Sequence, residues 1–521
     1  MIASHRIAAT TDIRDRRLAG LALNPAAPED VLLRLLSDGP TVARLTLSEG
    51  RPLPDAVVEA VITHPDRSVR GRFACNPHVD PGLRLRLIDD PEWTVRALLS
   101  DGPALPLHIA PAPLPDWAVL HMIRTYGDEL QGGLGFTRQV STGFMWSALS
   151  HPDPKVRLMG ISWRGVPDDV REALFADPDE KVRKRARDWV RDEDPQWVEQ
   201  QLPAHSCHGR TDGLLNGALS RKVIENVLTA PAAEDERAMI ASNPTLPADV
   251  VALLSADPDA EVRREIAGHP RLSQEGRRAL GADPDPLVRR CTAHRRDLEP
   301  DELRALAADP DPRVRLAASM HPALTDAERA AIDYEVPMDE PFVPGIPSRV
   351  PGDPGELRRD ALSGHPMLRR RAARDRFLPP DLVARLAADA DLGVRVLLAQ
   401  NHPEAPAALL LRSFLEYTGR KREHLLLRAD FPSAGLARYA GDEDPAVRAL
   451  ACRDPETAAE TVDKLTRDPD PRVRAAAAAH PKLPPARLAE LLDDEELAHH
   501  AAANPALDPV VMRRLVASAA G

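Results

Sequence analysis

The segment Asp-Pro-Asp-Pro-Arg-Val-Arg at residues 309–315 recurs along the chain at a fixed spacing. Related copies begin at residues 257, 283 and 468, and Val262, Val288 and Val314 follow one another at intervals of 26 residues. Self-similarity at a period of this size indicates a solenoid, in which each unit packs only on its neighbours. The period therefore restricts the fold more strongly than the length of 521 residues, which would otherwise suggest several globular domains.

Each copy carries the signals that start and stop a short helix. Asp311 suits the N-cap, and Pro312 suits the first helical position, where its missing N–H is no loss. The His321–Pro322 step ends this segment, because the residue before a proline is pushed out of the α region. Thr325 and Glu328 then have the spacing of a capping box. A unit of 26 residues is thus expected to hold one helix of about three turns and one shorter helical piece.

A second register mark lies seven residues after the valine, where most units have Asn or His followed by proline. It is found at Asn76, Asn243, His269, His321 and His480, and similar steps occur at Asn24 and Asn504. The array therefore extends over nearly the whole chain. Aromatic residues make up only 3% of the sequence, so its core must be built from Ala, Leu and Val.

The combined pattern D-P-x-x-V-R, then Ala, then His/Asn-Pro-x-Leu, then L-A-A resembles the leucine-rich repeat variant (LRV) family. The resemblance implies an all-α fold, a right-handed superhelical α-solenoid in which an α-helix alternates with a short α or 3₁₀ helix. It also implies a binding scaffold rather than a reaction. The family's founding kind carries an iron–sulfur cluster on a cysteine-rich N-terminal segment, which this chain lacks, so no cofactor is predicted. A more distant similarity in style is to HEAT-like repeat proteins.

The period divides the chain into regular and irregular parts. Repeats are predicted at 1–102, 151–190, 234–334, 356–403 and 442–521, with irregular insertions at 103–150, 191–233, 335–355 and 404–441. All six tryptophans lie between residues 93 and 197. Insertions in solenoids often carry the working surface. The aromatic residues Trp117, Tyr126, Phe136, Phe144 and Trp146 of the first insertion form either a binding surface or a locally repacked core, and packing is the favoured interpretation.

The arginine after the valine should form a ladder along the array, at Arg70, Arg96, Arg157, Arg263, Arg289, Arg315, Arg395, Arg448 and Arg474. A ladder of this kind could bind anions. The favoured interpretation is structural, because aspartates recur in step with the arginines and offer each one an ion-pair partner.

Two tryptophans replace the Asn or His register residue in consecutive units, at positions 163 and 189. Cationic residues accompany them, giving the candidate patch Trp163, Lys181, Arg183, Lys184, Arg185, Arg187, Trp189 and Arg191. Aromatic and basic side chains together are typical of sites for stacked anionic ligands. The alternative is that the indoles act as spacers between units while the cations are solvated. No metal site is predicted, and His205, Cys207 and His208 are only a weak candidate because a fourth ligand is missing.

The leading functional hypothesis is a non-catalytic scaffold that binds a protein partner, because no catalytic motif is found. One alternative is a nucleic-acid-binding or DNA-repair protein of HEAT type that uses the basic patch, although the net charge of −12 disfavours it. Another is a small-molecule regulator or enzyme with a pocket in the 103–150 insertion. The four scattered cysteines and the lack of a signal peptide or apolar span predict a cytoplasmic protein that does not enter a membrane. The oligomeric state is left open.

Overall fold

The computed structural model describes residues 12–103, 113–127, 139–230, 234–336, 353–419 and 421–517. Within these ranges the chain consists of short helices joined by turns, packed in sequential repeats, and has no β-strand. The all-α repeat prediction is therefore confirmed, while the handedness of the superhelix stays a prediction. The chain forms two compact units: unit 1 comprises Met1–Trp163 together with Ala429–Gly521, and unit 2 comprises Arg164–Arg428.

The helices of unit 1 come from both ends of the chain. Its α-helices are Ile13–Leu23, Glu29–Asp38, Thr41–Gly50, Asp55–Ile62, Arg67–Ala74, Pro81–Arg84, Trp93–Asp101, Asp116–Tyr126, Thr142–Ser147, Pro154–Arg164 (whose last residue begins unit 2), Pro445–Arg448, Ala459–Leu465, Pro471–Ala478, Pro485–Leu492, Ala498–Ala502 and Pro509–Ala517. Its 3₁₀ helices are Leu85–Leu87, Ala148–Ser150, Ala437–Tyr439 and Ala449–Arg453.

Unit 2 is formed by one continuous stretch of the chain. Its α-helices are Arg171–Phe175, Glu180–Val190, Pro195–Gln201, His208–Asn216, Arg221–Thr229, Glu234–Ala241, Ala248–Leu254, Ala260–Ile266, Gln274–Gly281, Pro286–Ala293, Pro300–Ala307, Pro312–Ser319, Asp326–Ala330, Pro354–Leu362, Pro366–Ala373, Pro380–Ala387, Leu392–Asn401 and Ala407–Glu416. Its 3₁₀ helices are Arg191–Glu193 and Arg422–Leu427.

The start signals act as the sequence predicts. Asp311 is the N-cap of Pro312–Ser319, accepting a hydrogen bond from the Arg313 amide, and Pro312 takes the first helical position. Thr325 and Glu328 form the reciprocal capping box. The predicted helix lengths differ from those observed: between residues 248 and 319 the helices have seven or eight residues each, and all are α-helical. Frequent Asp-Pro starts and Asn or His stops limit both helices of a unit to about two turns.

The register valines form the core of the repeats. Val262, Val288, Val314 and Val473 are fully buried, and aliphatic side chains surround them as the low aromatic content requires. Because each valine is enclosed by the helices of its own and the neighbouring unit, burial in one repeat depends on the presence of the next.

The first described repeat and the last described repeat meet inside unit 1. Helix Ile13–Leu23 packs on helix Ala498–Ala502, and Gly20 lies so close to the backbone carbonyl of His499 that an added Cβ would fall 2.0 Å from its oxygen. The Asn24 amide donates to the carbonyls of Ala502 and Asn504, at 2.9 and 2.6 Å. The first repeat therefore occupies the place that would follow the last repeat.

Candidate functional site

The register residue seven positions after the valine connects each unit to the preceding one. Asn243 is fully buried, and its Nδ2 donates to the carbonyls of Leu214 and Gly217, at 2.9 and 2.8 Å. Its Oδ1 accepts from the amide and the hydroxyl of Thr245, at 2.9 and 2.7 Å. One side chain thus satisfies four polar groups across two units. The same arrangement, with two carbonyls of the preceding unit as acceptors, occurs at Asn76 and Asn504.

Histidine performs this connection through its ring. His269 contacts the Asn243 carbonyl through Nε2 at 2.9 Å and accepts the Arg271 amide through Nδ1 at 3.1 Å. We call a side chain with this role a connector. Two connectors could not be predicted from residue type, because they are neither Asn nor His. Arg295 donates to the carbonyls of Ala267 and His269, and the buried Gln139 donates to those of Leu99 and Ser100. Only the spacing from Val288 could have identified Arg295, and Gln139 lies in an irregular segment.

The arginine ladder is held by protein acceptors. Bidentate or nearly bidentate ion pairs span 20 residues in Arg70–Asp90, Arg237–Asp257, Arg263–Asp283, Arg289–Asp309, Arg369–Asp389 and Arg448–Asp468. The third nitrogen of Arg289 also donates to the carbonyls of Asp283 and Pro284, at 2.8 and 3.2 Å. The same nitrogen binds the turn of its own unit in Arg70, Arg263, Arg369 and Arg448, so each of these guanidiniums connects that turn to the first aspartate of the next unit.

The remaining ladder arginines keep the carbonyl contacts but use other partners. Arg315 reaches Asp333, Arg395 reaches Glu416, and Arg474 binds Glu496 at 2.7 Å. Arg96 lies over the ring of Tyr126, 4.1 Å from its centroid. Arg157 and Arg183 each donate to two carbonyls of their own Asp-Pro or His-Pro turn. These contacts are those that the structural interpretation requires, and its consequence for stability stays a prediction.

Several aromatic side chains of unit 1 are exposed. Trp117 and Trp146 are exposed by 60 and 48%, and Trp93, which lies before the insertion, is exposed by 53%. By contrast Phe144 is buried, and the Tyr126 hydroxyl donates to Asp89 at 2.8 Å. Phe136 lies outside the described residues. The three exposed indoles belong to consecutive described helices, namely Trp93–Asp101, Asp116–Tyr126 and Thr142–Ser147.

The predicted basic and aromatic patch is divided between the units. Trp163 belongs to unit 1, where its ring packs on Phe144 with centroids 6.1 Å apart. The other seven members belong to unit 2, and six of them are on or directly after helix Glu180–Val190 with exposed side chains. Those six are Lys181, Lys184, Arg185, Arg187, Trp189 and Arg191.

Within unit 2, Trp189 takes the connector position without making a connector's hydrogen bonds to two carbonyls. Its indole nitrogen lies against Gly165, 2.5 Å from where a Cβ would be, and Gly165 has the left-handed φ of 76°. The indole is nevertheless 45% exposed, and the guanidinium of Arg185 lies 5.7 Å from its ring centroid. Arg191 stacks on Trp197 at 4.5 Å, so this part of unit 2 combines accessible cations with aromatic rings.

The described residues hold no group of three or more His, Cys, Asp or Glu side chains that could bind a metal ion. His205, Cys207 and His208 are therefore not brought together into a metal site. Cys207 instead precedes helix His208–Asn216 as its N-cap residue, without a side-chain capping bond.

His365 replaces the N-cap aspartate at the start of Pro366–Ala373 and is almost completely buried. Its Nδ1 accepts the Met367 amide, its Nε2 lies 2.8 Å from the Ser319 hydroxyl, and its ring stacks on Tyr334 with centroids 4.4 Å apart. Burial, with a smaller contribution from Arg329 and the other nearby arginines, lowers the pKa of His365 to about 4.

This depressed pKa predicts acid lability of unit 2. Because an unfolded histidine titrates near pH 6.5, His365 contributes stability above that pH and loses it as the pH falls towards 4. Between pH 7 and pH 5 the loss is expected to be about 2 kcal/mol. Urea unfolding at both pH values should show this difference, and His365→Asn, which keeps a capping acceptor, should remove that part of it. An identical pH dependence in the variant would contradict the assignment.

Comparison with known proteins identifies the repeat type. A family model described as "Leucine rich repeat variant" matches residues 471–496. A search of solved structures returns a crystal structure of an engineered protein that is 15% identical and covers 96% of both chains, but with a TM-score of 0.10 it carries no argument about the fold. No curated protein matches the sequence. Residues 471–496, from the Pro471 that begins a helix to the Glu496 that pairs with Arg474, thus form a leucine rich repeat variant repeat.

Proposed function

We propose that the protein is a non-catalytic scaffold that binds a protein partner through the exposed tryptophans of unit 1. The observation that supports this proposal is the half-exposure of Trp93, Trp117 and Trp146 on three successive helices of the described residues. Exposing an indole to water is costly, and tryptophan is strongly enriched among the residues that dominate protein–protein binding energies. The three indoles stand out in a chain with only 3% aromatic residues.

The charges around these indoles favour a protein partner over a nucleic acid. Glu92 directly precedes Trp93, and Asp116 directly precedes Trp117. On helix Asp116–Tyr126, the polar side chains of His121 and Tyr126 are both directed to the carboxylate of Asp89. Carboxylates on the segments that carry the indoles disfavour the approach of a phosphate backbone, although Glu92 is itself paired with Arg67. An amphipathic protein surface has no such conflict, because it can pair apolar side chains with the indoles and cations with the rim.

The test compares proteins retained from a lysate of the native host by three forms of the full chain. They are the wild type, the variant Trp93→Ser/Trp117→Ser/Trp146→Ser, and the control Leu253→Ser, which removes an exposed apolar side chain of unit 2. A partner should be retained by the wild type and the control and reduced roughly tenfold or more by the triple variant. Thermal unfolding must show that all three are folded. If the same proteins are retained in equal amounts, the tryptophans are not the binding surface.

A second candidate function is supported by helix Glu180–Val190 of unit 2. Lys181, Lys184, Arg185 and Arg187 are exposed there beside the half-exposed ring of Trp189, which is the combination that single-stranded nucleic acids bind. Lys184 is paired with Asp188 at 3.3 Å, so the patch is only partly neutralised by its own helix. A titration with single-stranded DNA at low salt tests this candidate, and the absence of binding at micromolar protein removes it.

The small-molecule alternative depends on the 103–150 insertion, of which residues 104–112 and 128–138 lie outside the described ranges. It therefore stays a prediction. Among the described helices, none is both long enough and apolar enough to cross a bilayer. The expected cytoplasmic location and protein partner are part of the proposal.

A further inference from the structure

In unit 1, helix Ile13–Leu23 packs on helix Ala498–Ala502, and we call this contact the joint. The joint has the same kinds of contact that connect successive units elsewhere. Asn504 donates to the carbonyls of Ala478 and His480, and Asn24 donates to those of Ala502 and Asn504. The two acceptors of Asn24 lie 24 residues, close to one period, after the two acceptors of Asn504. Asn24 itself, however, lies near the start of the sequence and not one period after Asn504. Asn24 of the first repeat thus binds the last repeat in the way that a register residue elsewhere binds the preceding unit.

A second set of contacts in the joint follows the same rule. Within unit 2, an arginine of one unit pairs with the aspartate at the second position of a helix in the next unit, in the pairs Arg221–Asp249, Arg278–Asp301 and Arg358–Asp381. Across the joint, Arg513 makes this pair with Asp30, the second residue of helix Glu29–Asp38, through two bonds of 2.8 and 3.2 Å. Two independent register contacts therefore agree on how the ends fit.

Further contacts hold the first helix on the last repeat. Arg17 donates to the Leu492 carbonyl at 2.6 Å and pairs with the carboxylate of Asp493, and Arg16 binds the Glu495 carbonyl. Leu18 and Leu21 are buried in the same core cluster as Ala501 and Ala502. Opening the joint would expose this apolar surface and leave these backbone carbonyls without their protein donors.

We propose that these two end surfaces also recognise each other between molecules, so that the N-terminal repeats of one copy bind the C-terminal repeat of a second copy. Recognition depends on repeat register and not on chain connectivity, since the joined residues are more than 470 positions apart in the sequence. A second copy presents identical surfaces. Exchanging identical elements conserves every contact of the joint and is a low-cost route to dimers. The local concentration of the chain's own end sets the balance between the two forms.

Charge reversal distributed over two chains tests the proposal. The first chain carries Arg17→Asp/Asp30→Arg, and the second carries Asp493→Arg/Arg513→Asp. Each alone places like charges in both ion pairs of its own joint, whereas in an exchanged pair of the two chains every ion pair is matched. The variants are mixed in equal amounts, unfolded in urea and refolded together, and the species are separated by size exclusion with light scattering and native mass spectrometry.

The expected result is a mixed dimer in roughly tenfold excess over either variant dimer, because exposed ion pairs each contribute little on their own. The matched control is a mixture of Arg221→Asp and Asp249→Arg chains, whose reversed pair joins covalently consecutive units of unit 2 and should give no mixed dimer. A joint-variant mixture that stays monomeric, or dimerises no more than the control, overturns the proposal.

A second measurement covers the case in which the reversed variants fail to refold. The wild-type chain is refolded from urea at increasing protein concentration, and the dimer fraction is measured after return to one common concentration. It should rise with the refolding concentration, and to a similar extent for Asn24→Ala, which loses the same connector bonds in the closed joint and in the exchanged joint. A monomer at every refolding concentration in both proteins overturns the proposal. Because the joint does not include Trp93, Trp117 or Trp146, this result is independent of the proposed partner binding.

Discussion

Replacing Asn243 with alanine is expected to lower the free energy of unfolding of unit 2 by about 3 to 4 kcal/mol. The substitution removes two donors to the carbonyls of Leu214 and Gly217 and the acceptor for the amide and hydroxyl of Thr245. All of these contacts surround a fully buried side chain, so water cannot replace it without opening the core. Leaving a buried polar group unsatisfied costs about 1 to 3 kcal/mol, and several are affected here.

Urea unfolding of the wild type and the variant measures this loss. Asn226→Ala is a matched control, because Asn226 is an exposed residue of helix Arg221–Thr229 and alanine favours a helix. We expect the control to change the free energy of unfolding by less than about 0.5 kcal/mol. Asn243→His should retain part of the stability, since His269 connects its unit through a ring nitrogen. If Asn243→Ala resembles the control, the connector is not needed for stacking.

The repeat could be predicted from sequence because its signals are local. Asp311, Pro312, Thr325 and Glu328 act within one turn of their own positions, and the structure places each where the pattern predicts. The role of the register residue is not local, because Asn243 donates to carbonyls 26 and 29 residues earlier in the sequence. A periodic pattern reveals that such a position exists, but only the packed units show which groups it satisfies.

The joint between chain ends shows a stronger limit of sequence reasoning. Asn24 and Asn504 were recognisable as outlying copies of the register residue, yet nothing in the sequence indicates that Asn24 binds the carbonyl of Asn504. The candidate surface is limited in the same way. Composition located the tryptophans, but packing and exposure depend on neighbouring helices, so Phe144 is buried while Trp146, two residues later, is exposed.

The residues at the connector position differ in whether they bond to the preceding unit. Where the connector is Asn243, His269, Arg295 or Gln139, the side chain is buried and bonded to the preceding unit. Where it is Trp189, the side chain lies on a glycine and remains half-exposed. Replacing a bonding connector by an exposed indole gives up hydrogen bonds that stabilise the array. Such a loss is typical of a position kept for contact with another molecule.

Replacing Arg289 with alanine is expected to lower the free energy of unfolding of unit 2 by about 3 kcal/mol. The guanidinium holds Asp309 through bonds of 2.7 and 2.9 Å, and both side chains are largely buried, with 12 and 6% exposure. Burial alone would raise the pKa of Asp309, but the Arg289 bonds and the Asp311 amide outweigh it and lower that pKa. Without Arg289, a buried carboxylate loses its main counter-charge.

The second step of this experiment separates a structural ion pair from an anion-binding ladder. Arg289→Ala/Asp309→Asn removes the uncompensated charge but keeps an acceptor for the Asp311 amide, so urea unfolding should show at least half of the lost stability restored. Arg313→Ala, at an exposed position of helix Pro312–Ser319, should change the free energy of unfolding by less than about 0.5 kcal/mol. A stable Arg289→Ala protein with weakened binding of polyanions would instead favour the anion-binding interpretation, because a ladder kept for ligands need not support the stack.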